Sequence, residues 1–208
     1  MSRRRKSSLL QIAIIGSCLL VLLALIGAHF SGGPDEVGAP PAGSARSKEQ
    51  KQVSLAIRNG APPRFARSYV SAARANDLPW QLLAAIGSAE SDHGRSPLPG
   101  VRTGINLAGC CAGPMQICIT EACGNVAAAY AVDGDRNRKF SIYSPPDAVW
   151  TAARYLKWMT SLVGDDPRIL AAAYNAGPTI VSEVGIPPYP ETRAYVDKVT
   201  GYMNRTGL

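Results

Sequence analysis

Apolar positions along the chain fall into two regimes. Residues 9–30 are almost continuously apolar, interrupted by the polar side chains Gln11, Ser17 and His29. From residue 53 onward the apolar positions recur at helical spacing instead. Leu82, Leu83 and Ile86 form one such stripe within 79–94, where Pro79 suits a first turn and Gly94 a stop just past the end. Phe65, Tyr69, Ala72 and Ala73 predict a helix over 63–75. Ser144, two prolines and Asp147 have capping-box spacing and open a helix that Gly164 closes. A further helix runs from Asp166-Pro167 to Asn175, stopped by Gly177-Pro178, and a last one covers about 191–203. No stretch alternates as a strand should. Residues 95–143 are long and irregular, with a short helical piece near 125–131, and a loop of that length in a compact domain is usually functional. The pattern predicts a mostly α domain over 53–208.

The apolar run of 9–30 would be about 33 Å long as a helix, enough to cross the hydrocarbon of a bilayer. Arg3, Arg4, Arg5 and Lys6 precede it, and no Lys or Arg follows it until Arg46. The positive-inside bias therefore predicts a single-pass transmembrane anchor with a cytoplasmic tail over 1–8 and the rest of the chain outside the cytoplasm. A cleaved signal peptide is one alternative, and processing at Ile15-Gly16-Ser17-Cys18 to leave a lipidated Cys18 is another. Residues 31–52 are rich in Gly, Pro, Ala and Ser and are expected to be a flexible tether between anchor and domain.

The net charge of +7 is concentrated at the N-terminus. From Val53 onward 15 Lys/Arg face 12 Asp/Glu, which argues against a nucleic-acid binder with its basic stripe.

Glu90 follows Ile86 by four and Leu83 by seven, so its carboxyl projects from the apolar stripe near the helix C-terminus. Desolvation and the negative end of the helix dipole both raise its pKa, as a general acid near neutral pH requires. A solvated glutamate at a frayed end is the plainer alternative. Asp92 and His93, just beyond it, read as a solvated loop start. Cys110, Cys111, Cys118 and Cys123 crowd one stretch of the loop. Outside the cytoplasm such a cluster is expected to form two disulfides, with zinc the competing reading. Three pairings are open, of which the one joining neighbours 110 and 111 is strained. Asp133 and Asp135 begin like a calcium loop, but Arg138 stands in place of the required glycine and Ser144 in place of the bidentate glutamate. The stretch reads as a polar turn, and neither metal nor cofactor is expected.

Four strings occur in order: Ala89-Glu90-Ser91, Gly113-Pro114-Met115-Gln116-Ile117, Ala173-Tyr174-Asn175-Ala176-Gly177-Pro178, and Pro190-Glu191-Thr192-Arg193-Ala194-Tyr195-Val196. Together they resemble the soluble-lytic-transglycosylase (SLT) domain family, relatives of goose-type lysozyme, over about 63–202. The resemblance implies a lysozyme-like fold and cleavage of peptidoglycan glycan strands between N-acetylmuramic acid and N-acetylglucosamine. Glu90 matches the family's catalytic acid, Gln116 a glutamine of the saccharide cleft, and Tyr174 and Asn175 a pair that closes the site near the acid. Tyr195 matches a recurring tyrosine with no role assigned. Pro114 replaces a more common leucine, and Leu107, Cys110 and Cys111 stand where small residues are usual. The implied reaction is a lyase reaction closing a 1,6-anhydro ring. A hydrolytic muramidase using the same acid and a non-catalytic wall-binding module are the alternatives.

Overall fold

The computed structural model describes residues 42–208. The tail, the anchor over 9–30 and the first part of the tether lie outside the described residues. Among the described residues no helix is long and apolar enough to cross a membrane.

The described residues hold eight α-helices, a 3-10 turn over Glu121–Cys123 and one small hairpin: α1 Ala42–Arg58, α2 Pro63–Ala75, α3 Trp80–Ser91, β1 Cys111–Ala112, β2 Ile117–Cys118, α4 Val126–Tyr130, α5 Pro145–Val163, α6 Pro167–Ala176, α7 Pro178–Val184 and α8 Pro190–Arg205. Helix α3 is the axis of the domain and packs against α2, α5, α6 and α8. The periodicity predicts one apolar stripe on it, yet every residue from Trp80 to Gly87 is buried. A helix wrapped on all sides needs apolar or small residues all round, and Ala84, Ala85 and Gly87 supply the small ones. Gly87 has a specific neighbour: a Cβ there would run into the Tyr69 hydroxyl of α2. Helix α2 buries Phe65, Ala66, Tyr69, Val70, Ala72 and Ala73 against α3 and α5.

Three sequence expectations are corrected. Residues 42–52 are not tether but the first turns of α1, which packs on α2 through Ala56 and pairs Glu49 with Arg74 at 2.6 Å. Their small polar composition hid the helix, because only its last turns carry apolar residues. The irregular loop contains a two-stranded antiparallel hairpin with Cys111 opposite Cys118. Its two-residue strands are too short to show alternation. Gly177-Pro178 ends α6 but also starts α7, with the proline in the first turn where its missing N–H costs nothing.

The start of α5 also differs from its expected chemistry. Ser144 makes no side-chain cap, and its buried hydroxyl has no hydrogen-bond partner among the described residues. Asp147 instead turns away and accepts from the backbone N–H groups of Gly134 (2.9 Å) and Ser141 (2.9 Å). It is fully buried and ties the loop before α5 to the helix.

Candidate active site

Glu90 sits in the last turn of α3, where the helix leaves the core. The helix ends with Asp92 and His93 in the left-handed region (φ 51° and 54°), followed by Gly94 at φ 79°. Two non-glycine residues hold that conformation because their surroundings fix them. Ser91 is buried, donates to the Pro114 carbonyl at 2.6 Å and accepts from the Gly94 N–H at 2.7 Å. The serine after the glutamate thus pins the end of α3 to the 113–117 string.

That string is the turn of the hairpin. Gly113 adopts φ 77°, and a Cβ there would meet the Ile142 carbonyl. Met115 is fully buried, and Gln116, at φ 45°, brings its side chain to the surface of the cleft. The Gln116 amide is held at both ends: Nε2 donates to the Gly113 carbonyl (2.9 Å) and Oε1 accepts from Asn106 Nδ2 (3.2 Å). Asn106 also accepts from the Cys110 and Cys111 N–H groups, so one asparagine organises the approach to the hairpin.

From the other side, Tyr174 of α6 donates to the Met115 carbonyl at 2.8 Å. Asn175 accepts from Thr192 Oγ1 at 2.8 Å, which ties the end of α6 to the first turn of α8. One turn along α8, Tyr195 donates to Glu90 Oε1 at 2.6 Å. Lys198 donates to the Ala89 carbonyl at 2.9 Å. Burial pushes the Glu90 carboxyl up to about 7, while the Tyr195 hydrogen bond and the Lys198 charge pull it down by less. Burial and the nearby Glu90 charge hold the Tyr174 phenol well above its ordinary value. A cavity of about 220 Å³ opens over Glu90 between Gln116 and the loop carrying Leu98, Asn106 and Leu107. A larger one of about 580 Å³ continues past Gln116, Tyr174 and Asn175. Glu90 is the only carboxyl group among the described residues lining either cavity.

The transglycosylase SLT domain family matches the chain over residues 68–186, more than half of its 208 residues. The chain belongs to the transglycosylase SLT domain family. No curated relative matches it.

Within the SLT match Glu90 and Gln116 line the smaller cavity, and Gln116, Tyr174 and Asn175 line the larger one. Tyr195 lies beyond the matched range, and its hydrogen bond to Glu90 is the site contact that sequence reasoning left without a role. The fourth string was its signal, but nothing local separates a core tyrosine from one aimed at a carboxyl. Asn106 and Lys198 were not singled out at all.

The stretch around the SLT hairpin carries both disulfides. Cys110 pairs with Cys123, and Cys111 with Cys118. The second spans the two strands of the hairpin. Asp133, Asp135 and Asp147 bring carboxylate oxygens within 4.8 Å of one another, away from the cleft lining. Those oxygens are engaged: Asp133 accepts from the Asn137 and Arg138 N–H groups, Asp135 from Asn137, and Asp135 also pairs with Arg64 at 3.5 Å.

The solvated loop start expected at 92–93 holds for one residue only. Asp92 is exposed and pairs with Arg95. His93 is buried, shares a hydrogen bond with the Tyr69 hydroxyl at 3.0 Å and lies edge-on to Tyr202. Burial pushes its pKa down to about 4, so it is a neutral core histidine near physiological pH. The left-handed turn at Asp92 is what swings it inward, and no periodicity announces that turn.

Proposed function

We propose that this chain is a membrane-anchored lytic transglycosylase that cleaves the β-1,4 bond between N-acetylmuramic acid and N-acetylglucosamine in peptidoglycan. The observation that carries the reading is Glu90, pushed up to about 7, as the single carboxyl group among the described residues that line the two cavities. Hydrolysis of a glycoside usually takes two carboxylates, whereas one suffices when the substrate supplies the nucleophile.

In this mechanism protonated Glu90 gives its proton to the bridging oxygen as the C1–O bond of the muramic sugar breaks. The 2-acetamido carbonyl of the same sugar stabilises the positive charge left on C1. The carboxylate of Glu90 then takes the proton of the sugar's 6-hydroxyl as that oxygen bonds to C1. A 1,6-anhydro ring closes, Glu90 is again protonated, and no water is consumed. Tyr195 orients the carboxyl through its 2.6 Å hydrogen bond. Gln116, Tyr174 and Asn175 shape the cleft around the reacting sugar, and orientation of this kind is a large part of the rate. The membrane attachment rests on the apolar run over 9–30 and its basic flank.

Mass spectrometry of fragments released from purified peptidoglycan by the ectodomain, in ¹⁸O-labelled water, tests the reading. The expected products end in 1,6-anhydro-N-acetylmuramic acid and carry no label. Labelled reducing ends would establish a muramidase, and no release at all would leave a binding module.

A further inference from the structure

We infer that the exposed basic face of α1 and α2 docks on anionic phospholipid headgroups and lays the domain on the membrane surface. The inference rests on the membrane-anchored reading of residues 9–30. Charge is unevenly spread along the chain. Residues 42–75 hold seven Lys/Arg and one Asp/Glu, whereas 76–208 hold 11 Lys/Arg and 12 Asp/Glu. The net charge is therefore +6 on the first two helices and −1 on everything after them. A count from Val53 onward hides this asymmetry, because Arg46, Lys48 and Lys51 precede it.

The fold turns this surplus into a surface. Helices α1 and α2 are joined by residues 59–62 and pack on each other. On α1, Lys51 and Arg58 lie two turns apart and line one shallow outer groove with Ser47, Gln50 and Ser54. On α2, Phe65, Tyr69, Ala72 and Ala73 are buried, which leaves Arg64, Arg67 and Arg74 along the exposed side. Arg64 pairs with Asp135 and Arg74 with Glu49. Among the described residues Arg46, Lys48, Lys51, Arg58 and Arg67 make no ion pair, so their charges are left for an external partner.

Position in the chain selects the partner. Only residues 31–41 separate the apolar run from the first turn of α1, a span of at most about 40 Å when extended. With 9–30 in the bilayer, α1 cannot leave the neighbourhood of the headgroups. Each Lys or Arg at an anionic membrane surface favours docking by about fivefold. The apolar contribution is small, since Ile57 is the only large apolar side chain that α1 and α2 expose among the described residues. The face therefore rests on headgroups instead of inserting between them, and salt screens the contact. No residue of α1 or α2 lines the cavity over Glu90 or the larger one beside it, so the docking face is not the cleft.

The test uses the full chain reconstituted in vesicles of phosphatidylcholine, alone or mixed with phosphatidylglycerol. A membrane-impermeant ester acylates exposed amines, and mass spectrometry reads each lysine. Lys51 is expected to react about fivefold more slowly on the anionic vesicles, while Lys198 of α8 is unchanged. High salt should abolish the difference, and so should combining Arg46→Gln, Arg58→Gln and Arg67→Gln, three exposed residues without ion pairs. Alkaline carbonate extraction reads the anchor separately. A chain that resists extraction but shows no lipid-dependent difference at Lys51 overturns the docking face and leaves the anchored reading standing. Extraction with the difference retained overturns the anchor alone, and extraction without it overturns both. A difference that survives the triple substitution overturns the basic face. Protection of Lys51 by soluble polyphosphate, but not by phosphatidylglycerol, overturns the choice of lipid.

Discussion

The Tyr195 hydroxyl donates to Glu90 Oε1 at 2.6 Å, joining residues 105 apart in the chain. The contact needs α3 and α8 to pack side by side, and it touches the carboxyl that burial holds near 7. Because the phenol donates, it favours the carboxylate and lowers the pKa that burial has raised.

Under the proposed mechanism the rate of wall lysis should be flat below neutrality and fall on the alkaline side, as Glu90 loses the proton that this mechanism has it donate. With a pKa of about 7, the rate at pH 8 should be roughly a tenth of the plateau. Tyr195→Phe should move that alkaline limb to higher pH, since the donor that favours the carboxylate is gone, and should lower the plateau by loosening the carboxyl. A pH–rate profile of both proteins checks this. An unmoved or acid-shifted limb in the variant would contradict the role of Tyr195.

Glu90→Gln should cost at least 10²-fold in lysis, the scale of one general acid. It should also stabilise the fold, and only at high pH. The folded pKa of about 7 lies above the ordinary 4.5, so the folded state holds the proton more tightly. That advantage is complete below pH 4.5 and is lost as pH rises through 7, where the buried carboxyl ionises at a cost. Glutamine cannot ionise, so the gain over wild type should grow between pH 4.5 and 8 by up to about 3 kcal/mol. Urea unfolding at the two pH values measures it, and a pH-independent difference would refute the raised pKa.

Ser91→Ala should weaken the joint between α3 and the hairpin. It strands the buried Pro114 carbonyl and the Gly94 N–H, with a cost of about 1–3 kcal/mol. Because Glu90 and Gln116 sit on the two sides of that joint, lysis should fall at temperatures where the protein remains folded. Denaturant unfolding and lysis assays on one preparation separate the effects. Unchanged stability and unchanged lysis together would show the joint to be idle.

Peptide mapping of the non-reduced protein should recover Cys110 linked to Cys123 and Cys111 linked to Cys118. Alkylation before reduction should label none of the four. Recovery of free thiols or stoichiometric zinc would rule the two bonds out. Removing the Cys111–Cys118 bond by paired serine substitution should lower the unfolding midpoint and the lysis rate together, since it spans the hairpin that presents Gln116.

The sequence by itself determined what depends on near neighbours. Helices α2, α3, α5, α6 and α8 were legible because burial of one face repeats every three or four residues, and prolines and glycines mark their ends. Glu90 was legible because a carboxyl on an apolar stripe is anomalous within a single helix. The order of the four strings then sufficed for the family. Tertiary structure alone decided what depends on which distant segments meet. The composition of 42–52 suits a tether equally well, and only the face of α2 beside it makes it worthwhile as helix. Asp147 has the spacing of a cap, yet two backbone N–H groups of a preceding loop compete for it and win. Four cysteines allow three pairings, and only the register of a two-residue hairpin sets Cys111 against Cys118. Tyr195 could face the core or the cleft until α8 docks on α3, and the docking, not any local preference, aims its hydroxyl at Glu90.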